Sequence, residues 1–185
     1  MSKARPAVFL DRDGVINKDS GYINSLEELE IFPFTKQCID EFHRLGYLAI
    51  VISNQSGVAR GYLTEDTLRE INEYIKNNTG VDAIYYCPYH EEGIISEYTK
   101  KSDWRKPGTG MIKQACSDFH VDMSRSLLAG DRASDIKTGQ NAGITTILLE
   151  SGFGTTRLEE EVTPDYIMED LRDVVRFCKE KQAEG

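Results

Sequence analysis

Short apolar runs alternate with segments of helical periodicity along this 185-residue chain. The apolar runs end at polar or glycine residues, which predicts buried strands. We expect strands at about 8–10, 47–52, 83–86, 126–129, 145–149 and 165–168, and helices at about 35–45, 64–80, 110–119, 136–142 and 171–181. Nearly all-apolar strands that alternate with helices predict an α/β fold with a parallel sheet of about five or six strands, covered by helices on both faces.

One stretch interrupts this alternation. Between Cys87 and Trp104 the sequence is charged and shows no periodicity, so we expect a loop insertion there. A chain of 185 residues has the size of one domain. We therefore predict a single domain over residues 1–185 with an insertion at about 87–104.

Composition limits the classes of partner. The chain is 39% hydrophobic and 29% charged, and no apolar run approaches the roughly 20 residues that span a membrane. The formal net charge of −9 argues against a nucleic-acid partner. It does not argue against a small phosphate ester, because a metal ion and a few cations reverse the field locally.

The N-terminus and the cysteines predict a cytoplasmic location. Residues 1–6 carry charge but no following apolar segment of the kind found in secretion signals. The four cysteines show no C-x-x-C spacing, which is typical of reduced thiols in the cytoplasm. We expect a monomer.

Polar clusters follow four of the predicted strands or their connections. They are Asp11 with Asp13, Ser53 with Asn54, Arg105 with Lys106, and Asp131 with Asp135. Because the carboxyl ends of parallel strands lie at one edge of a sheet, we expect these clusters to meet, with Gly14 permitting a sharp turn after the first. Several acids in one place require a cation, and Mg²⁺ suits carboxylate ligands. Lys106, Ser53 and Asn54 would then hold an anion.

Each cluster alone is weak evidence. A D-x-D sequence usually lies in a surface loop, Lys-Pro is usually a turn, and G-D-x-x-x-D is usually a helix start. Four of them in this order are much more specific. The motifs Asp11-x-Asp13-Gly14, Ser53-Asn54, Lys106-Pro107 and Gly130-Asp131-x3-Asp135 resemble those of the haloacid dehalogenase superfamily over residues 8–150.

The resemblance is tighter to one branch, the D-glycero-D-manno-heptose 1,7-bisphosphate 7-phosphatases, and the histidinol-phosphate phosphatases share much of its pattern. The segments that carry it are 11–17, 21–22, 53–57, 59–61 and 105–107. The resemblance implies a Rossmann-like three-layer fold with a parallel sheet and a short loop insertion instead of a cap domain. It implies a Mg²⁺-dependent phosphatase that removes the 7-phosphate of a heptose bisphosphate.

The resemblance also implies catalytic roles. Asp11 would attack phosphorus and form an aspartyl-phosphate. Asp13 would protonate the leaving sugar oxygen and then take a proton from water. Ser53 and Lys106 would stabilise the phosphoryl group in transfer. An acid at position 13 favours rapid turnover to free phosphate, which indicates a phosphatase rather than a dehalogenase or an ion pump.

Metal and substrate positions follow from the same resemblance. Asp11, Asp131 and the backbone carbonyl of Asp13 would bind Mg²⁺, while Asp135 would orient Asp131 or a metal-bound water. The residues expected to contact substrate are Asp19, Ser20, Gly21, Tyr22, Asn54, Gln55, Ser56, Arg60 and Arg105. Arg105 would read a second anionic or polar group, and Arg132, beside Asp131, is assigned a structural or pairing role.

The insertion departs from the branch. Its members usually carry a structural zinc bound by Cys-x-His and Cys-x-Cys, but here Tyr89, Ser102 and Trp104 replace three of those ligands and Cys87 alone remains. Structural zinc sites need four ligands, so we do not expect zinc. Tyr89, Tyr98 and Trp104 would pack the loop instead.

Because this loop flanks the substrate in the branch, its change leaves alternatives open. One is a phosphatase that acts on histidinol phosphate or another sugar phosphate. A polynucleotide 3′-phosphatase is disfavoured by the acidic balance. A non-catalytic module that binds a phosphorylated ligand is disfavoured by the intact pair Asp11 and Asp13.

Overall fold

The computed structural model describes residues 4–157 and 162–183. The strands are β1 (Ala7–Leu10), β2 (Leu48–Asn54), β3 (Ala83–Cys87), β4 (Leu127–Gly130), β5 (Thr145–Leu149) and β6 (Tyr166–Met168). They form one parallel sheet in the order β3-β2-β1-β4-β5-β6. The expected α/β class and parallel sheet are confirmed.

The central position of β1 brings the predicted clusters together. Leu10 pairs with Val51 of β2 on one side and with Ala129 of β4 on the other. The residues that follow these three strands therefore leave the sheet side by side at its carboxyl edge.

Helices cover both faces of the sheet. They are α1 (Thr35–Arg44), α2 (Glu65–Thr79), α3 (Gly110–Asp118), α4 (Ala133–Ala142) and α5 (Leu171–Ala183). Val8 and Leu10 pack against α1, α2 and α5, whereas Ala7 and Phe9 belong to a second core with α3. Ile136 of α4 packs on Leu148 of β5 on the second face. This alternation follows from the two-residue period of a strand.

Strand and helix boundaries differ from the prediction by at most three residues, and β5 matches it at both ends. The largest difference at a helix start is in α4, which begins at Ala133 because the Asp135 carboxylate accepts the backbone N–H of Arg132 (3.0 Å) and so caps the first turn. Four short 3₁₀ segments, at Leu26–Glu28, Ser96–Tyr98, Met123–Arg125 and Gly154–Arg157, were not predicted, since a single turn is too short to show a period. Within the described ranges, no helix has the length and apolarity needed to cross a membrane.

Candidate active site

Asp11 lies directly after β1 and is 6% exposed. Its Oδ1 accepts hydrogen bonds from the backbone N–H of Arg12 (2.8 Å) and from Lys106 Nζ (2.9 Å). Its Oδ2 accepts none from the described residues. The chain turns away at Gly14, whose φ of +87° favours glycine. A Cβ at Gly14 would also overlap the Asp131 carboxylate, so glycine is required here twice.

Lys106 sits at the centre of the site. Its Nζ donates to Asp11 Oδ1 (2.9 Å), to Asp135 Oδ1 (2.5 Å) and to the Ile52 carbonyl (3.0 Å), which uses all three ammonium protons. Burial opposes the charge, but Asp11 and Asp135 hold the pKa of Lys106 above its ordinary value. Lys106 is therefore a fixed cation beside Asp11.

Three buried carboxylates form a candidate metal centre. Asp11, Asp131 and Asp135 place oxygen atoms within 4.8 Å of one another. The Oδ2 of Asp131 accepts the N–H of Phe153 (2.9 Å), while its Oδ1 is buried and accepts no hydrogen bond from the described residues. Burial and the neighbouring Asp135 raise the pKa of Asp131 to about 6, and the same two causes raise the pKa of Asp11.

The charges of this centre fit a divalent cation. Three carboxylates face the Lys106 ammonium, and the more distant Arg132 Nε lies 3.9 Å from Asp131 Oδ1, so negative charge remains in excess among them. A hard divalent ion with oxygen ligands balances that charge and gives Asp131 Oδ1 a partner. The oxygen ligands present therefore fit Mg²⁺. Asp135 is not expected to bind the ion directly, because its Oδ1 and Oδ2 already accept hydrogen bonds from Lys106 Nζ and from the Arg132 N–H.

Asp13 has different surroundings. Its carboxylate accepts hydrogen bonds from Arg12 Nε (3.0 Å), Asn17 Nδ2 (2.9 Å) and Gln55 Nε2 (2.8 Å). Burial opposes ionisation, but the Arg12 guanidinium and these donors hold the pKa of Asp13 below its usual value. Arg12 is itself buried and also donates to Asn72 Oδ1 (3.0 Å), which fixes its guanidinium beside Asp13. The side chain of Asp13 is thus an ionised carboxylate outside the acid cluster.

The residues after β2 hold these groups in place. The Asn54 amide donates to the Lys106 carbonyl (3.1 Å) and accepts from the Lys106 N–H (2.9 Å), which fixes the lysine backbone. Gln55 Nε2 bridges Asp13 and the hydroxyl of Ser53 (2.8 Å). Ser53 is only 1% exposed and lies beneath the cavity surface.

A cavity of about 450 Å³ opens over this edge of the sheet. Ten of the predicted residues line it: Asp11, Asp13, Asp19, Gly21, Tyr22, Asn54, Gln55, Ser56, Arg105 and Lys106. Ser53, Asp131 and Asp135 are buried under its floor, while Ser20 and Arg60 are outside its lining. The size suits a small-molecule ligand.

Sequence reasoning missed part of the lining. Arg132, which was assigned a structural or pairing role, also faces the cavity, where it binds Asp19 (2.5 Å) and stacks on the ring of Phe153 at 4.6 Å. Ser134 lines the cavity too. Phe153 follows β5, so the strand-end argument applied to that strand would have indicated its segment.

The insertion is packed by aromatic rings. Trp104 contacts Tyr85 of β3 with ring centres 6.4 Å apart, and Tyr89 contacts Tyr98 at 6.2 Å. The Tyr98 hydroxyl donates to Glu65 Oε2 (2.7 Å), which ties the insertion to α2. The three rings proposed from the sequence thus lie in two separate pairs.

Side chains at the zinc positions of the branch make other contacts. Cys87 Sγ lies 3.9 Å from the Tyr89 carbonyl, and Ser102 Oγ accepts the Trp104 N–H (3.1 Å). One thiol and one hydroxyl do not make a four-ligand zinc site. Within residues 4–157 and 162–183, the acid cluster is the one group of three metal-ligating side chains that lie close together.

Comparison with known proteins agrees with this geometry. A family model described as HAD-hydrolase-like matches residues 103–174. The chain is 41% identical to D-glycero-D-manno-heptose-1,7-bisphosphate 7-phosphatase of Thermosynechococcus vestitus, over 94% of this chain and 95% of that protein. It is 34% identical to D-glycero-beta-D-manno-heptose-1,7-bisphosphate 7-phosphatase of Escherichia coli K12, over 98% of each.

A solved structure is similar over nearly its full length. The D,D-heptose 1,7-bisphosphate phosphatase of B. bronchiseptica, crystallised with magnesium and phosphate, is 27% identical. It superposes with a TM-score of 0.81 over 95% of this chain and 99% of that one.

Proposed function

The chain belongs to the D-glycero-D-manno-heptose-1,7-bisphosphate 7-phosphatase family of haloacid dehalogenase-like phosphatases, and we propose that it removes the 7-phosphate of such a bisphosphate with Mg²⁺ as cofactor. The observation that carries the chemistry is the setting of Asp11. One of its oxygens is held by Lys106 and the other accepts no hydrogen bond from the described residues, at the floor of an open cavity and beside an acid cluster that fits a divalent cation.

Asp11 is the proposed nucleophile. Its Oδ2 forms a bond to phosphorus while the bond from phosphorus to the sugar oxygen breaks, which leaves an aspartyl-phosphate and the sugar. Water then attacks phosphorus, releases inorganic phosphate and restores the Asp11 carboxylate. Lys106 Nζ, fixed 2.9 Å from Asp11 Oδ1, offsets negative charge at the reacting group in both steps.

Asp13 is the proposed acid and base. Arg12 and Gln55 hold its carboxylate in the ionised form, which is the form that takes a proton from the attacking water. To protonate the sugar oxygen, Asp13 must first take up a proton from solvent, to which the open cavity exposes it. The arrival of the anionic phosphate favours this, because a nearby negative charge raises the pKa of a carboxyl group.

Asp11, Asp131 and the backbone carbonyl of Asp13 are the proposed Mg²⁺ ligands, and Asp135 orients this set through its bonds to Lys106 and Arg132. When bound, the ion neutralises negative charge on the phosphoryl group. Ser53 is proposed to donate to a phosphoryl oxygen, since Gln55 already donates to its Oγ and the hydroxyl proton is available.

Substrate contacts form a further part of the proposal. We assign them to Asp19, Ser20, Gly21, Tyr22, Asn54, Gln55, Ser56, Arg60 and Arg105, and we add Arg132 because it lines the cavity. The side chains of Asn54 and Gln55 are already used in holding Lys106, Asp13 and Ser53, so their contribution is mainly to position those groups.

The organisation of the protein is proposed on similar grounds. The six strands found in residues 4–157 and 162–183 lie in one sheet, which supports a single domain over residues 1–185. The protein is proposed to act as a monomer. The four free cysteines support a cytoplasmic location.

The deciding experiment measures phosphate release with Mg²⁺ from heptose 1,7-bisphosphate, histidinol phosphate and a set of common sugar phosphates. We expect a clear preference in kcat/KM for the heptose bisphosphate. A preference for another ester would overturn the substrate assignment and keep the phosphatase chemistry. No turnover of any ester would overturn both.

A further inference from the structure

A second cavity, of about 660 Å³, lies at the edge of the sheet opposite the acid cluster. It is lined by Pro6 just before β1, by Leu127 of β4 and by Thr145 of β5, each at the amino end of its strand. We call it the amino-edge cavity. Its volume is within the range of sites that bind small molecules, and it shares no lining residue with the cavity over Asp11.

The amino-edge cavity has a cationic lining in an acidic protein. The whole chain carries 31 acidic and 22 basic residues, yet the described lining contains Arg5, Arg125 and Lys181 and no aspartate or glutamate. Asp122, outside the lining, accepts a hydrogen bond from Arg125 Nε (2.7 Å). Arg5 has no carboxylate partner among the described residues, so positive charge remains in excess at this lining. Its charge therefore favours an anionic ligand.

The two guanidinium groups are held in place by the protein itself. Arg5 donates from Nε to the Gly46 carbonyl (3.2 Å) and from Nη2 to the Tyr47 carbonyl (3.0 Å), while its Nη1 makes no hydrogen bond to a described residue. Arg125 is fixed through Nε, and its two Nη groups are likewise without a partner in the described ranges. Paired N–H donors on a fixed planar group match the oxygens of a phosphate. Because they are already oriented, binding a phosphate costs little ordering.

Aromatic side chains form another part of the same lining. Tyr166 of β6 and Phe177 of α5 lie with ring centres 4.7 Å apart, and Tyr47 lines the cavity beside them. Tyr166 is 40% exposed, so part of its ring is available to a ligand. A planar ligand ring stacks on such side chains with little dependence on its substituents.

We propose that the amino-edge cavity binds a nucleotide, with its phosphate at Arg5 and Arg125 and its base against Tyr166 and Phe177. A bare phosphate leaves the rings unused, and an uncharged ring leaves the guanidinium groups unpaired. A nucleotide uses both. The site is separate from the phosphatase centre, and the inference does not depend on the proposed function.

Calorimetric titration with adenosine 5′-monophosphate tests the charged part of the site. A chelator in the buffer removes the divalent ion that the acid cluster needs to accept a phosphate. Arg5→Met and Arg125→Met should each weaken binding by about 10- to 100-fold, the effect of losing a hydrogen bond to a charged group. Arg69→Met, an exposed change on α2 outside the lining, should leave the affinity unchanged.

Two arginine variants are used because their structural contacts differ. Arg5 also bonds backbone carbonyls, whereas Arg125 is 57% exposed and is held only by the Asp122 side chain next to it in sequence. A folded Arg125→Met variant therefore decides the matter if Arg5→Met is unstable. The absence of measurable binding to the wild type, or wild-type affinity in the folded variants, would overturn the site.

A comparison of two ligands tests the aromatic part. Tyr166→Ala should weaken binding of adenosine 5′-monophosphate by about fivefold or more and leave the affinity for ribose 5-phosphate, which lacks the base, unchanged. Equal losses for both ligands would refute recognition of the base. Arg105→Met, in the other cavity, should not alter nucleotide affinity. Loss of binding in Arg105→Met but not in Arg5→Met would place the nucleotide in the phosphatase cavity and overturn the proposal.

Discussion

Two neighbouring regions, one at the floor of the cavity and one at its side, differ in how their charged groups are paired. In the transfer region, formed by Asp11, Lys106, Asp131 and Asp135, Lys106 uses all its protons on fixed acceptors. In the recognition region, formed by Arg60, His90 and Arg105, Arg60 Nε is buried with no acceptor among the described residues, and Arg105 Nη1 reaches only the Tyr89 carbonyl at 3.5 Å.

This difference in pairing indicates that catalysis and the choice of substrate depend on different residues. A closed network of buried charges tolerates few changes, because removing one partner leaves another buried and unpaired. Donors that lack an acceptor in the protein are available to hydrogen-bond a ligand. Substituting them does not disturb the reacting atoms. We therefore expect substitutions in the transfer region to abolish turnover of every substrate, and substitutions in the recognition region to alter the choice among substrates.

The largest expected effect is that of Asp11→Asn. The amide keeps the shape of the side chain and an acceptor for Lys106, but it is not a nucleophile. Phosphate release from every ester should fall by about 10⁴-fold or more. Steady-state assays measure the rate, and acid-quenched mass spectrometry should detect an aspartyl-phosphate in the wild type only. Asp40→Asn, an exposed change on α1, is the matched control, and a native rate in Asp11→Asn would refute the nucleophile assignment.

Removal of metal should have the next largest effect. Without a divalent ion, the excess negative charge of the acid cluster repels the incoming phosphate. Because the ion contributes several kcal/mol, chelation should lower activity on the order of 10³-fold, and Mg²⁺ alone should restore it. Full activity after thorough chelation would remove the ion from the scheme, and a requirement for added zinc would contradict the aromatic packing of the insertion.

Lys106→Met should affect both rate and stability. The change leaves Asp11 and Asp135 without their shared cation in a buried site, which costs about 3–5 kcal/mol of folding free energy. It also removes a charge that stabilises the phosphoryl group, so kcat should fall about 10²- to 10³-fold. Denaturant unfolding measures the first effect and assays on folded protein the second. A variant with native kcat would mean that Lys106 acts only in folding.

The two regions also differ in how far the sequence predicts them. Asp11, Lys106 and Asp131 were predicted because each follows a strand or its connection, and parallel strands bring such residues to one edge. The contact between Arg60 and His90 depends on how the insertion folds back onto the loop after β2. The insertion has no periodicity, so no pattern in the chain indicates that approach.

Aromatic residues of the site are hard to predict for a related reason. Phe153 lines the cavity and contacts Arg132. From the sequence alone, a single phenylalanine is normally interpreted as a core residue. Trp104 and Tyr89 were expected to pack the insertion, but their actual partners, Tyr85 and Tyr98, emerge only from the fold.

The smallest expected effect concerns that packing. Trp104→Ala removes the contact with Tyr85, and because Trp104 is only partly buried the loss should be about 2–3 kcal/mol, below the range for fully buried tryptophan. Trp104→Phe keeps a ring against Tyr85 and removes less volume, so it should lose less stability than Trp104→Ala. Urea unfolding measures both.

The kinetics of the same variant test whether the two regions are independent. If the rings only support the insertion, Trp104→Ala should leave kcat for the corresponding heptose 7-phosphate unchanged. It should raise KM for the heptose bisphosphate, because His90 and Arg105 lie at the insertion. A fall in kcat for both substrates would mean that the insertion also positions Lys106, which follows it directly. The same segment would then contribute to both catalysis and substrate choice, and the two regions would not be independent.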